Sequence, residues 1–339
     1  MIRAAIVGLG RWGRALVRSV QDEGGHRSDD IGFVLAHTRT RASAEEFCRE
    51  HRLTLVDSYD RLLSDPHVDA VVLATPHSQH APQIIAAAAA GKHIHVEKPV
   101  TLDRASAELA IAAAQRAGVV LAVDYCRRFH PSVVALRRHL ADGCLGNVIS
   151  MVAQHTTSTG QFIPADNWRA AAEEAPGGAF TAVGVHALDH MIEFGGRVRD
   201  VRCITSRHFN LPSDDTTAVM LRFASGATGL IFCSVATATN FNFTLYGSRG
   251  LAEISGPDLQ RFRFVPSSTE APRGLVAAPP DEVSEHRDFD MLRAELTEFA
   301  CSIRERRSFA VPTADVLHGM SVFDAIVRSA REASIEPVD

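Results

Sequence analysis

No run of about 18 apolar residues occurs in the chain, so no segment reads as a membrane-spanning helix. The amino end also lacks a charged stretch followed by an apolar one. Met1 leads directly into a strand-like Ile-Arg-Ala-Ala-Ile-Val, and the expected location is the cytoplasm, with neither export nor insertion. Cysteine pairing is missing as well. Cys48, Cys126, Cys144, Cys203, Cys233 and Cys301 show no C-x-x-C pair and no zinc-like spacing, and read as reduced, mostly buried thiols. A basic stripe is absent, and the net charge of −5 with both signs interspersed argues against a nucleic-acid partner. What remains is a composition 46% hydrophobic and 22% charged, that of a globular enzyme, over 339 residues that suit two domains.

Residues 1–123 alternate apolar runs (4–7, 31–36, 70–74, 93–97 and 119–123) with helical patterns (14–21, 42–50, 79–90 and 104–116). Gly91 and Gly118 fall where helix C-caps belong. Such alternation predicts an α/β chain that begins with a doubly wound parallel sheet. Over residues 124–339 the pattern becomes consecutive β-type runs at 147–157, 200–208, 218–223, 228–235 and 241–246, with hairpin turns at 224–227 and 247–250. This half reads as α+β with a mostly antiparallel sheet. Residues 271–280 read as a surface loop. Two helices close the chain, the first carrying Phe289, Leu292, Leu296, Phe299 and Ile303 at helical spacing.

Gly8-Leu-Gly-Arg-Trp-Gly13 follows the first strand and opens a helix with G-x-G-x-x-G spacing. Gly8 permits the tight turn, Gly10 lets backbone approach a pyrophosphate, and Gly13 allows close helix–strand packing, with Arg11 and Trp12 between them. The helix N-terminus offers free N–H groups and a positive dipole end to phosphates. An NAD site usually places Asp or Glu at the end of the second strand for the ribose 2′-hydroxyl. Residues 31–41 hold no acidic residue and end His37-Thr-Arg-Thr-Arg41. Thr38 can hydrogen-bond a 2′-phosphate, and Arg39 or Arg41 can pair with it, so NADP is expected ahead of NAD.

Residues 91–99, Gly-Lys-His-Ile-His-Val-Glu-Lys-Pro, read as a short strand that presents Glu97 and Lys98 before a proline that cannot continue the ladder. Ligands of open α/β sheets sit just beyond the carboxyl ends of strands, which makes Lys98 the first candidate for chemistry. His93, His95 and Glu97 alternate toward one side, a spacing that could in principle bind zinc. Helices cover the faces of a parallel sheet, so that side is read as packed and no metal is expected.

In this order, residues 8–13, Ala-Thr-Pro-His-Ser-Gln-His at 74–80, residues 91–99, Arg-Arg-Phe-His-Pro at 127–131, Trp168-Arg169 and Gly-Gly-Ala-Phe-Thr-Ala-Val-Gly-Val-His-Ala-Leu-Asp at 177–189 resemble the glucose–fructose oxidoreductase / inositol dehydrogenase / MocA (Gfo/Idh/MocA) family. The resemblance spans essentially the whole chain. It implies a Rossmann domain over residues 1–123 and a substrate-binding and oligomerisation domain with a large open sheet over 124–339, the closing helices packing back on the first. It further implies a homodimer or homotetramer through that sheet. The implied reaction is hydride transfer between a nicotinamide cofactor and a secondary alcohol or ketone of a sugar, cyclitol or dihydrodiol-like substrate. Lys98 would act on the reacting hydroxyl with His186 assisting. Thr75, Pro76, His77, Glu97 and Lys98 itself would border the cofactor. Tyr125, Arg128, Trp168, Arg169, His186 and Asp189 would border the substrate. His80 is expected only to order the start of its own helix.

One departure stands out. Many catalytic relatives carry Asp four residues before the histidine of Gly-x-His-x-x-Asp, where this chain has Ala182. If residues 180–194 are helical, positions 182, 186, 189 and 193 share one face, and alanine removes the partner of His186. Three readings stay open. Lys98 and His186 suffice, since a lysine beside a cationic nicotinamide can serve as base. Tyr125, Arg128 or Asp189 replaces the Asp. Or catalysis is lost and the chain is a dinucleotide-binding sensor.

Overall fold

The computed structural model describes residues 1–21, 27–164, 167–209, 212–267 and 280–338. These form two compact units, Met1–Cys126 with Asp290–Leu317, and Arg127–Phe289 with His318–Asp339. The loop expected at 271–280 lies, apart from Pro280, outside the described residues.

The first unit opens with β1 (Ile2–Val7), α1 (Arg11–Val20), β2 (Ile31–His37), α2 (Glu45–Glu50), β3 (Thr54–Leu55), α3 (Tyr59–Leu63), β4 (Ala70–Leu73), α4 (His80–Ala89), β5 (His93–Val96), α5 (Arg104–Ala117) and β6 (Leu121–Val123). The strands form one sheet in the order β3-β2-β1-β4-β5-β6, every pairing parallel. All four residues of β4, and five of six in β1, are buried. A parallel sheet covered on both faces requires that, and it explains why these strands read as continuous apolar runs. Gly118 caps α5 at φ 66°, and Gly91 follows α4 at φ 70°. The chain winds outward from β1 in one direction and from β4 in the other. The loops beyond the carboxyl ends of β1 and β4 therefore flank the switch point of the sheet.

The second unit contains α6 (Pro131–Ala141), β7 (Val148–Thr156), α7 (Val185–Gly195), β8 (Val198–Ser206), β9 (Thr216–Phe223), β10 (Thr228–Ser234), β11 (Asn240–Gly247), β12 (Gly250–Ser255), β13 (Arg261–Pro266) and β14 (Glu282–Glu285). The chain ends with α8 (Met291–Glu305), α9 (Thr313–Glu332) and β15 (Ile335–Pro337). Nine strands, β14-β13-β12-β11-β7-β10-β9-β8-β15, form one sheet that is antiparallel except where β7 meets β10. Parallel pairing needs a crossover, which the segment bearing α7 and the β8–β9 hairpin supplies. Both expected hairpin turns are present, joining β9 to β10 and β11 to β12. The sheet is wider than the sequence suggested, since β13 to β15 are short or weakly alternating. Phe241, Phe243, Leu245, Phe262 and Phe223 fill its covered face.

In the first closing helix, α8, Leu296 and Phe299 are buried as their spacing predicts, and α8 packs on α1 and β2 of the first unit. Phe289 is not helical. Asp290 is the N-cap, its side chain accepting from the Arg293 N–H at 2.9 Å, and this ends the extended lead-in. No helix among the described residues is long and apolar enough to cross a membrane.

Candidate active site

The turn after β1 has the shape of a phosphate cradle. Gly8 sits at φ +94°, its N–H donating to the His37 carbonyl at 2.8 Å, and a Cβ there would lie 2.5 Å from the Ala74 carbonyl oxygen. A Cβ at Gly13 would lie 1.9 Å from the Gly8 oxygen, so only glycine lets α1 start this close to the strand. At Gly10 a Cβ would meet nothing within 4 Å. Gly10 is the N-cap of α1, with no side-chain cap and no acid in the first turn, so the helix end is left open to an anion. These features fit a dinucleotide pyrophosphate. Arg11 and Trp12 are exposed at the helix start, the guanidinium 5.5 Å from the indole centroid.

At the end of β2, Thr38 is half-buried and Arg39 and Arg41 are exposed. Arg41 pairs with Asp57 at 2.5 Å, an exposed contact that costs little to exchange for a phosphate.

The loops after β4 and β5 are tied together. Both ring nitrogens of buried His80 face carbonyl oxygens, Nδ1 toward Pro99 at 3.0 Å and Nε2 toward Thr75 at 3.1 Å. His80 thus does more than start its helix; it straps the Thr75 loop to the turn that follows Lys98. Thr75 donates its hydroxyl to Gln83 Oε1 at 2.6 Å, and Pro76 and His77 are half-buried beside it. Glu97 is buried, its N–H bonded to the Leu73 carbonyl at 2.9 Å, whereas Lys98 is half-buried. The Lys98–Pro99 bond is cis. Tyr125 follows β6 and is buried. The His93–His95–Glu97 alternation does not assemble one ligand set. The half-buried His93 ring accepts the Val120 N–H through Nδ1 at 3.0 Å, and burial pushes its pKa down. His95 lies wholly inside, 3.1 Å from Glu295.

In the second unit, residues Phe180–Gly184 form a π-type turn that runs into α7. A π turn carries extra residues per turn, so α-helical spacing does not run from Ala182 to His186 as the sequence suggested. Gly184 allows it: a Cβ there would strike the Phe180 ring at 2.4 Å and come within 3.0 Å of Cys233 Sγ. Ala182 is exposed and His186 half-buried. The buried ring of His155, on β7, lies 5.8 Å from that of His186. His155 Nδ1 faces the Val183 carbonyl at 3.0 Å and Nε2 faces Arg127 Nη2 at 3.2 Å, while Arg127 also lies over the Phe241 ring at 4.6 Å. Those partners make Nδ1 the donor and Nε2 the acceptor.

Arg128 and Asp189 form a buried bidentate pair, Nε and Nη2 bonding the carboxylate at 2.7–3.0 Å, with Glu193 at 3.7 Å. Burial pushes the Asp189 carboxyl up while Arg128 opposes it. Trp168–Ala170 is a 3-10 turn started by Asn167, with the Arg169 guanidinium 4.2 Å from the Trp168 centroid and both side chains half-buried. A cavity of about 730 Å³, lined by His93, Val120, Arg306 and Phe309 among others, lies at the amino ends of β5 and β6, opposite the strand ends that carry these loops. His155, beside His186, was not singled out by the sequence.

A six-stranded parallel sheet with this strand order and glycine turn, followed by a largely antiparallel second sheet, is the architecture of a two-domain dinucleotide-binding protein. Residues 2–125 match the family model described as "Oxidoreductase family, NAD-binding Rossmann fold", and residues 133–253 match the GFO/IDH/MocA C-terminal domain. The chain belongs to the Gfo/Idh/MocA oxidoreductase family. It is 28% identical over 251 residues to trans-1,2-dihydrobenzene-1,2-diol dehydrogenase of Sus scrofa, covering 74% of this chain and 73% of that protein. Levoglucosan dehydrogenase in complex with NADH and levoglucosan shares the fold, with a TM-score of 0.89 at 21% identity over 100% of this chain and 99% of that one. Aldose-aldose oxidoreductase from Caulobacter crescentus, complexed with glycerol, gives a TM-score of 0.84 at 25% identity over 99% of both chains.

Proposed function

We propose that the protein is a dehydrogenase or reductase that moves hydride between a nicotinamide dinucleotide, NADP in preference to NAD, and a secondary carbinol of a sugar, cyclitol or dihydrodiol. The observation that carries this reading is the placement of Lys98. The chain has two lysines, and Lys92 Nζ is bonded to the Asp65 and Val68 carbonyls at 2.8 Å. Lys98 is the other, at the carboxyl end of β5, on the edge of the sheet where the glycine turn opens. The names of the 28% and 25% identical relatives, a dihydrodiol dehydrogenase and an aldose oxidoreductase, favour polyhydroxylated substrates.

When bound, the nicotinamide supplies the two-electron chemistry at its C4. Gly8, Gly10, Arg11, Trp12 and Gly13 hold the pyrophosphate on the open end of α1. Thr38, Arg39 and Arg41 bind the 2′-phosphate. Thr75, Pro76, His77 and Glu97 line the nicotinamide ribose, with His80 holding their loops in register. Lys98 transfers the proton at the substrate oxygen, and His186 orients that oxygen. Tyr125, Trp168 and Arg169 contact substrate. Arg128 and Asp189 act through each other, fixing the helix that bears His186. The exposed face of the large sheet is apolar at Ile204, Met220, Leu230 and Phe232, which supports assembly of copies through it.

A dinucleotide-binding sensor is the second reading, favoured by Ala182. Turnover with NADP and NAD across sugars, inositols and dihydrodiols separates the two. Hydride transfer with any of them is expected and removes the sensor reading. Binding without turnover on the whole panel supports it. Tighter binding of NADH than of NADPH would overturn the cofactor preference.

A further inference from the structure

Glu295 lies on the buried face of α8 beside Leu296 and Phe299, with 0% exposure. A carboxyl group there is costly unless its oxygens are bonded. Its Oε2 lies 3.1 Å from His95 Nε2 of β5, and His95 is itself wholly buried, edge-on to Phe299 with ring centroids 5.7 Å apart. Asp124, 3% exposed, follows β6. Its backbone N–H bonds the Val96 carbonyl at 2.8 Å, and its Oδ1 accepts the Cys126 N–H at 3.3 Å. One atom from each of His95, Asp124 and Glu295 lies within 4.8 Å of the others. The strand-end turns held by this cluster are those that present Glu97 and Tyr125.

We propose that Glu295 is a positioning residue for the cofactor side of the site, bracing the carboxyl ends of β5 and β6 from behind through His95 and the Asp124–Tyr125 turn. This rests on the dehydrogenase reading above. Its charge state follows from its neighbours. Asp124, Glu97, His95 and the Tyr125 N–H act on Glu295. Burial, then the charges of Asp124 and Glu97, hold its carboxyl well above the usual range, and burial pushes His95 down toward the neutral ring.

Because the folded-state pKa of Glu295 is raised, its contribution to stability is fully present below the unfolded value near 4.3 and is lost as pH rises through the folded value. Glu295→Gln keeps the shape and cannot ionise, whereas Glu295→Leu removes the brace. The test compares wild type and both variants for NADPH dissociation constant, by protein fluorescence, and for Tm from pH 5 to 9. Glu295→Gln is expected to bind NADPH within about twofold of wild type and to gain Tm relative to it as pH rises. Glu295→Leu is expected to weaken NADPH binding about tenfold, the worth of one or two lost hydrogen bonds. Should Glu295→Leu not fold, the pH comparison with Gln decides alone. A Gln variant whose Tm deficit is greatest at high pH, or stoichiometric divalent metal in wild type that Gln loses, would overturn the proposal. So would unchanged NADPH affinity in a folded Leu variant. Wild type that binds neither dinucleotide removes the dehydrogenase reading and this proposal with it.

Discussion

The imidazole rings of His155 and His186 lie 5.8 Å apart, inclined at 46°, with the first ring pinned between the Val183 carbonyl and the Arg127 guanidinium. The ring beside His186 is therefore a histidine backed by a cation. His155→Ala is expected to lower kcat about fivefold, with the NADPH dissociation constant unchanged, because one orienting contact is worth about 1 kcal/mol. Steady-state kinetics alongside a binding titration measure both. An unaltered kcat would remove His155 from the site.

The Arg128–Asp189 pair is buried, so removing one partner strands the other. Asp189→Ala is expected to cost about 3–5 kcal/mol in denaturant unfolding, and Arg128→Met with Asp189→Leu less than Asp189→Ala alone. If the single variant is as stable as wild type, the pair does not hold α7.

Acid sensitivity has a specific source in His130. This buried residue is the N-cap of α6, and its Nδ1 accepts the Ser132 N–H at 3.1 Å. Burial first, then the charges of His286, Arg127 and His190, push its pKa down to about 4. A base whose folded value is lowered contributes stability that is present above the unfolded value near 6.5 and is lost as pH falls toward 4. His130→Asn keeps a capping acceptor without the titration. The fall in Tm between pH 6.5 and 4 is expected to be smaller in that variant; an identical fall assigns the acid sensitivity elsewhere.

What was legible in the sequence was local. Gly8, Gly10 and Gly13 lie within six residues, and Gly8 and Gly13 each answer a steric demand the neighbouring backbone makes. Residues 91–99 likewise carry strand, charge and stop signal together. Contacts made across the chain left no such trace. Glu295 is 200 residues from His95, and its helix displays only the apolar spacing of its neighbours. Asp189 stands 61 residues from Arg128, so nothing local in the sequence names that arginine as its partner. The π turn at Phe180–Gly184 was invisible because it depends on how closely Gly184 meets Phe180 and Cys233. β13 to β15 escaped notice because short strands toward the flanks of a sheet need little alternation to pair.

Lys98→Met tests the central claim most directly. It removes the only side-chain amine at the carboxyl edge of the first sheet and keeps the aliphatic stem. NADPH affinity is expected to stay within about threefold, while kcat on the substrate found by the panel falls about 10²–10⁴-fold, the range for loss of a general acid–base group. Unchanged kcat with retained NADPH binding would contradict the assignment.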